Sequence, residues 1–179
     1  MLAKRMPFVY LENITKIFGI DMQTKEELEL WYKNADPWAY ESTFDDAYRK
    51  EQILSFFPRR YNRALDIGCG EGFITRDLPA DHIYGIEISD LAASRLPWTV
   101  KRVHEPEDVY DLVITTGTLY AQYDHQQIVQ WIRKSACKHI LIAGIVDWLI
   151  EYDFGKIIEH RKFNYRQYVQ SVTLYEVGT

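Results

Sequence analysis

A glycine turn between two apolar segments constrains this chain more than any other feature. Residues 64–67 form a short, mainly apolar run that predicts a buried strand, and Gly68, Gly70 and Gly72 follow it at alternate positions. We interpret residues 73–78 as a helix that ends before a proline. Glycine lets the backbone approach a ligand closely, and a helix start offers N–H groups without partners. Strand, turn and helix together predict a site for a nucleotide-like ligand.

Two acidic residues and the glycine spacing distinguish between ligand classes. A dinucleotide fingerprint would place its third glycine at position 73, where this chain has Phe73. Asp66, just before the turn, would repel a pyrophosphate but attract an ammonium group. Glu87 ends the apolar segment 83–86, nineteen positions after Gly68, and can accept hydrogen bonds from both hydroxyls of a ribose. An ammonium group together with a free ribose describes S-adenosylmethionine.

Several motifs carry a resemblance to a known family. The sequences L-D-I-G-C-G-E-G and G-I-E-I-S resemble motifs I and II of the class I S-adenosylmethionine-dependent methyltransferases. The segment D-P-W-A-Y-E-S at 36–42 is similar to a segment of the small bacterial nodulation protein S type group, and 110–114 resembles the fourth strand of the same fold. The resemblance covers residues 36–179. The alternative is a glycine-rich turn without a ligand, which requires three glycines and two placed acids to coincide.

The resemblance implies a cofactor site at the carboxyl ends of the first strands. Asp66 and the glycine turn would contact the methionine part, and Glu87 the ribose. The family usually places an acid after the third strand to bind the adenine amino group, and Glu105 is the candidate here. Trp38 and Tyr40 are candidates for closing the pocket. The predicted cofactor-binding residues are Asp66, Gly68, Cys69, Gly70, Gly72, Glu87, Ile88, Glu105, Thr116, Trp38 and Tyr40.

The order of segments predicts one domain spanning residues 1–179. Strand and helix signals alternate from 63 to 142, and the alternating pattern of 171–177 fits the family's last strand, which is inserted antiparallel. The expected fold is a Rossmann-like sheet of seven mostly parallel strands, with helices on both faces and the last strand antiparallel. Residues 1–57 are predicted to form an N-terminal helical cap segment.

Two helices are expected within the cap segment. Thr24 and Glu27 form a capping-box pattern before a helix over 25–33. Ser42 is the predicted N-cap of a second helix over 43–57.

Composition narrows the partners. A net charge of -5, with no run of Lys and Arg longer than two, argues against a nucleic-acid substrate. The chain has two cysteines, and Cys69 lies in the glycine turn, so we expect no structural disulfide and a reducing, cytoplasmic compartment. No metal-type cluster and no membrane-spanning segment is predicted. The sequence does not determine the oligomeric state.

The loop after the fourth strand is the predicted site of chemistry, because ligands in open α/β sheets lie at the carboxyl ends of the strands. Tyr120 is predicted to orient the acceptor, and His125 is an optional base. Tyr123, Trp148 and Arg49 are predicted substrate contacts. Arg49 has a second interpretation, in which it forms only a surface ion pair with Asp45 or Asp46 at helical spacing.

The resulting hypothesis is a methyltransferase that uses S-adenosylmethionine and transfers a methyl group to nitrogen or oxygen of a small-molecule acceptor. Two alternatives remain at this stage. One is a nucleic-acid (RNA) methyltransferase, and the other is a non-catalytic protein that binds S-adenosylmethionine on the same fold.

Overall fold

The computed structural model describes residues 22–178, and a single seven-stranded sheet forms its centre. The strand order is β3-β2-β1-β4-β5-β7-β6, and β7 runs antiparallel to the other six strands. The predicted fold class is therefore confirmed. The strands are β1 (Tyr61–Ile67), β2 (Ala80–Ile86), β3 (Val100–Val103), β4 (Tyr110–Thr116), β5 (Ala136–Ile145), β6 (Lys156–Tyr165) and β7 (Tyr168–Glu176).

Four α-helices accompany the sheet within residues 22–178, and their starts follow ordinary capping chemistry. They are α1 (Lys25–Trp31), α2 (Phe44–Leu54), α3 (Asp90–Ala93) and α4 (His125–Ser135). Thr24 and Glu27 form the predicted capping box at α1. The cap of α2 is Thr43, whose hydroxyl accepts from the Asp46 N–H, and not Ser42 as predicted. Ser42 instead donates its hydroxyl to the Ala39 carbonyl at 3.2 Å.

Successive residues of the central strands point to opposite faces of the sheet and build two cores. Ala64 and Leu112 belong to the core on one face, which α2 covers with Ile53. The adjacent residues Leu65 and Val113 belong to the core on the other face, which α4 covers with Val129 and Ile132. This layering holds the carboxyl ends of β1, β2 and β4 side by side at one edge.

The connection from β1 to β2 differs from the prediction. No α-helix forms over 73–78; the segment contains only a 3₁₀ turn, Thr75–Asp77. Gly72 closes the preceding turn by donating its N–H to the Cys69 carbonyl at 2.9 Å, and Leu78 is extended (φ -60°, ψ 135°) before a proline. Six residues between the glycine and the proline leave room for one tight turn only.

The cap segment is described in part. Its apolar stretches between residues 1 and 21 lie outside the described residues. None of the helices within 22–178 combines the length and apolarity needed to cross a membrane.

Candidate active site

A cavity of about 720 Å³ opens at the carboxyl ends of β1, β2 and β4, between the sheet and the segment that contains α1 and α2. Ligand sites commonly have volumes of about 300–1,000 Å³. Most of the residues predicted from sequence line this cavity. They are Trp38, Tyr40, Arg49, Asp66, Gly68, Cys69, Gly70, Glu87, Ile88, Thr116, Tyr120, Tyr123 and Trp148.

The glycine turn forms the floor of the cavity. Gly68 and Gly70 have φ values of 78° and 56°, which side-chain-bearing residues rarely adopt. A Cβ at Gly68 would overlap Cγ2 of Thr118 in the loop after β4. The Gly68 N–H donates to the Ile86 carbonyl at 2.8 Å, which holds the turn against the end of β2. The turn therefore exposes bare backbone to a ligand.

Asp66 lies beneath the turn and is almost fully buried, with 2% of its surface exposed. Its Oδ2 accepts a hydrogen bond from the Thr75 hydroxyl at 2.6 Å, whereas its Oδ1 is buried without a hydrogen-bond partner within residues 22–178. Burial raises the pKa of this carboxyl to about 7. An unpartnered buried carboxylate oxygen at a cavity wall is suited to a cationic donor such as an ammonium group.

Glu87 stands at the end of β2, opposite the turn. Its Oε2 accepts from the Gly70 N–H at 2.9 Å, and its Oε1 accepts from the Ser89 N–H at 2.8 Å. Burial raises the pKa of Glu87, and the two backbone hydrogen bonds oppose that shift. Each carboxylate oxygen can accept a second hydrogen bond, so Glu87 can bind two ligand hydroxyls in its present orientation.

Four rings, Trp31, Trp38, Tyr40 and Phe73, form an aromatic stack, of which Trp38, Tyr40 and Phe73 line the cavity. The centroids are 5.3 Å apart between Trp31 and Trp38, 6.5 Å between Trp38 and Tyr40, and 5.6 Å between Tyr40 and Phe73. The first pair is nearly parallel, with 10° between its planes. Such a wall suits flat or cationic ligand groups.

Glu71 ties the cap segment to the glycine turn. Its carboxylate accepts from the Asp36 N–H at 2.7 Å and from Arg95 Nη1 at 2.5 Å. Arg95 Nη2 in turn donates to the Tyr32 carbonyl at 2.8 Å. These hydrogen bonds keep the aromatic stack over the cavity.

Tyr120 lines the cavity and belongs to the loop that follows β4. It is buried, its ring meets Trp148 edge-on at 5.8 Å, and its Oη accepts from the Ile145 N–H at 2.8 Å. Burial raises the pKa of Tyr120 above its ordinary range. The hydroxyl therefore stays protonated near neutral pH and keeps its own proton available for donation.

No protein-family model matches the chain. A curated relative, the malonyl-acyl-carrier-protein O-methyltransferase of Bacillus anthracis, is 28% identical over 114 residues, which cover 52% of this chain and 41% of the relative. The chain thus spans less than half of that relative's length.

Solved structures match over most of the chain. The N-methyltransferase NodS of Bradyrhizobium japonicum, in complex with S-adenosylhomocysteine, matches 87% of this chain and 98% of its own at 15% identity, with a TM-score of 0.73. The described chain has the methyltransferase fold. The magnesium protoporphyrin IX methyltransferase of Synechocystis, with S-adenosylmethionine bound, matches 99% of this chain and 100% of its own at 11% identity, with a TM-score of 0.58. A candidate RNA methyltransferase of Pyrococcus horikoshii matches 87% and 98% at 14% identity, with a TM-score of 0.59. The resemblance predicted from the motifs is confirmed.

Three predicted site residues lie away from the cavity of this methyltransferase fold. Gly72 and Glu105 do not line it, and Glu105 is exposed, whereas the adjacent His104 does line it. His125 does not line the cavity either, and its Nδ1 is 2.6 Å from Oη of Tyr152. The roles assigned to these three residues stay predictions.

Arg49 is buried, and the interpretation of it as a surface residue is wrong. Only 6% of it is exposed, and its guanidinium lies between the rings of Tyr40 and Tyr165, at 4.8 and 5.1 Å from their centroids. The predicted pairing with Asp46 exists at 3.7 Å, but Asp46 is itself fully buried.

Several lining residues were not predicted from sequence. Tyr32, Arg102, His104, Tyr165 and Gln170 all face the cavity. Arg102 lies in β3 and His104 directly follows it, so both could have been found by treating every strand end as part of the site. Tyr165 and Gln170 come from the β6–β7 hairpin, about 120 positions from α2, and no local pattern connects those two segments.

Proposed function

We propose that this chain is an S-adenosylmethionine-dependent methyltransferase that acts on nitrogen or oxygen of a small-molecule acceptor. One observation carries the proposal. Two buried carboxylates, Asp66 and Glu87, end adjacent strands on either side of a glycine turn, and both face one cavity. That pairing matches the ammonium and ribose groups of one cofactor.

The residues present fit that cofactor. The orphaned Oδ1 of Asp66 would accept the methionine ammonium, directly or through a water, and Glu87 would accept the ribose hydroxyls. Gly68 and Gly70 would admit the methionine and ribose parts against bare backbone. When bound, S-adenosylmethionine supplies a methyl group already activated by its sulfonium. The fold is supported by neighbours whose structures contain S-adenosylmethionine or S-adenosylhomocysteine.

The chain's own contribution is alignment and exclusion of water. An acceptor held in line with the methyl group gains most of its rate from proximity, so no nucleophile of the protein is required. We assign this positioning to Tyr120 and Tyr123, which line the cavity and stack on each other at 6.4 Å. An amine acceptor must arrive neutral, and a hydroxyl acceptor must lose a proton as it reacts.

A small acceptor is supported by three observations. The net charge is -5, which disfavours phosphate backbones. Residues of the cap segment line one part of the cavity, and the curated relative and NodS are named for O- and N-methylation, respectively. We further propose that residues 1–179 form one domain, because all described strands belong to one sheet. The cysteine content supports a reducing, cytoplasmic compartment.

Calorimetry with S-adenosylmethionine and S-adenosylhomocysteine tests the cofactor assignment, and folded protein that binds neither would refute it. Transfer of a radiolabelled methyl group from the cofactor into a cell metabolite extract then tests the activity. Tight cofactor binding without any transfer would identify a non-catalytic protein. Salt-dependent binding to RNA, together with label in RNA, would favour the RNA alternative.

A further inference from the structure

Arg49 is a buried cation that lines the cavity. It lies among Tyr40, Tyr120 and Tyr165, all of which line the cavity with it. Tyr165 ends β6, which is four strands away from β1 and hence on the order of 19 Å along the sheet from the strand that ends near Asp66. The guanidinium lies between the Tyr165 ring and the Tyr40 ring of the aromatic stack, and we assign it to the acceptor side of the cavity.

The charge around Arg49 is not balanced. Asp46, which is fully buried, contacts Arg166 closely, accepts from the Tyr165 hydroxyl at 2.5 Å, and lies 3.7 Å from Arg49 Nε. Thr43 donates its hydroxyl to the same carboxylate. One carboxylate is therefore shared by two guanidinium groups, which leaves one excess positive charge. Arginine does not lose its proton in proteins, so this charge cannot be removed by titration.

Arg49 also lacks hydrogen bonds that its neighbours in the cavity wall have. Its Nε is buried without a hydrogen-bond partner among residues 22–178. Lys25 and Arg102, which also line the cavity, both pair with Asp90, at 2.6 and 2.7 Å, although Nε of Arg102 is likewise buried without a partner among residues 22–178. A buried guanidinium that shares its carboxylate partner with a second arginine is costly, and an anionic ligand would reduce that cost.

We propose that the methyl acceptor carries a carboxylate that binds Arg49, an inference that rests on the proposed function. The planar guanidinium matches a carboxylate with two parallel hydrogen bonds, and one excess charge matches a monoanion. The surrounding rings of Tyr40, Tyr120 and Trp148 favour a flat or apolar body on the acceptor. The carboxylate anchors the acceptor, and the aromatic walls orient it.

The test uses protein saturated with S-adenosylhomocysteine and a matched pair of probes, benzoate and its neutral amide benzamide. Binding is titrated by saturation-transfer NMR for wild type, Arg49→Lys, Arg49→Met and, as a control, Arg60→Met, which changes an exposed arginine paired with Asp81. Wild type and the control are expected to prefer benzoate by about tenfold or more, as for a charge-assisted hydrogen bond. Arg49→Met should lose the preference, and Arg49→Lys should keep a reduced one. Equal binding of the two probes by wild type, or an undiminished preference in Arg49→Met, would overturn the proposal.

A second measurement separates an acceptor carboxylate from the carboxylate of the cofactor. 5′-Methylthioadenosine lacks the amino-acid part of S-adenosylhomocysteine, so Arg49→Met should leave the ratio of the two affinities unchanged. A tenfold selective loss of S-adenosylhomocysteine would place Arg49 on the cofactor and overturn the proposal. If Arg49→Met does not fold, the Nε–Hε resonance of Arg49 is followed in the wild-type protein. This resonance is assigned by its absence in Arg49→Lys, and it must shift when benzoate is added but not when benzamide is added. If wild type does not bind S-adenosylhomocysteine, the proposed function is refuted. The preference for benzoate over benzamide can then be measured on the protein without cofactor, so the two failures are distinguishable.

Discussion

The Thr75 hydroxyl donates to Oδ2 of Asp66 at 2.6 Å, and Oδ1 of the same carboxylate is left buried without a partner among the described residues. One oxygen is thus used for structure, and the other remains without a partner in a residue that lines the cavity. This division makes Asp66 the residue where ligand binding, ionisation and stability are coupled.

Binding of S-adenosylhomocysteine should depend on pH through Asp66. The pKa of its carboxyl is raised to about 7, so the affinity should increase as pH rises through 7, when the carboxylate becomes available to the ligand ammonium. The increase should level off once the carboxylate is fully ionised, and it should reverse only at the higher pH where the ligand ammonium loses its own proton. Calorimetry at several pH values measures the effect. 5′-Methylthioadenosine, which has no amino group, should show no such dependence, and a matching slope for both ligands would contradict the assignment.

Replacing Asp66 with Asn should stabilise the protein without ligand at high pH. A carboxyl whose pKa is raised from 3.8 to about 7 binds its proton more tightly when folded, so wild-type stability falls as pH rises from about 4 to 7. Asn still accepts from Thr75 and avoids the buried charge. Above pH 7 the variant should gain at most about 4 kcal/mol in the free energy of unfolding, from 1.36 kcal/mol per pH unit. Urea denaturation at pH 5 and pH 8 measures it; an equal difference at both values would be evidence against a buried titrating group.

Glu87→Ala should weaken S-adenosylhomocysteine and 5′-methylthioadenosine equally, because both ligands contain the ribose. We expect a loss of roughly 1–3 kcal/mol in binding free energy for each, the cost of leaving polar groups without partners. Asp66→Asn, in contrast, should affect only the ligand with the amino group. Isothermal calorimetry of both variants with both ligands gives a two-by-two comparison. An unchanged affinity in Glu87→Ala would show that another residue receives the ribose.

Gly68→Ala should destabilise the protein through both backbone strain and overlap with Thr118. A φ of 78° and a Cβ in contact with Cγ2 of Thr118 predict a loss of roughly 2–4 kcal/mol in the free energy of unfolding. Thr118→Ser removes Cγ2, so the double variant should recover roughly half of that loss. Thermal unfolding of the three variants checks this. Strict additivity of the two changes would mean that position 68 does not meet Thr118.

Tyr120→Phe should lower both turnover and stability. The variant loses the acceptor for the buried Ile145 N–H, at a cost of roughly 1–3 kcal/mol in the free energy of unfolding. Turnover should fall because the methyl acceptor loses the hydroxyl that positions it. Affinity for S-adenosylhomocysteine should stay near that of wild type. His125→Ala serves as the comparison, since His125 contacts Tyr152 and does not line the cavity, and it should change turnover less. A larger effect from His125→Ala would restore His125 as the base.

The sequence predicted those parts of the site that lie within a few positions of a strand end. Asp66, Gly68, Gly70 and Glu87 were predicted because their spacing reflects local backbone geometry. The start of α1 was also predicted, because Thr24 and Glu27 form the expected capping box, whereas the cap of α2 lies one residue from the prediction.

The features that depend on distant partners were not predictable. Arg49 reads as a surface residue on α2, and its burial depends on Tyr165 and Arg166, which lie more than 110 positions away. The prediction of a helix after the glycine turn was wrong. The conformation of this segment depends on the short connection to β2 and not on the helix propensity of its residues.

The aromatic stack has a practical consequence for the study of this protein. Two of its five tryptophans, Trp31 and Trp38, are nearly parallel at 5.3 Å, and Trp38 lines the cavity. The excited states of indoles this close couple to each other, so the absorbance and fluorescence of the pair depend on their separation. A ligand that displaces Trp38 would change this signal, and the Trp31→Phe variant would abolish the change. Such a change would report occupancy of the cavity without an added label.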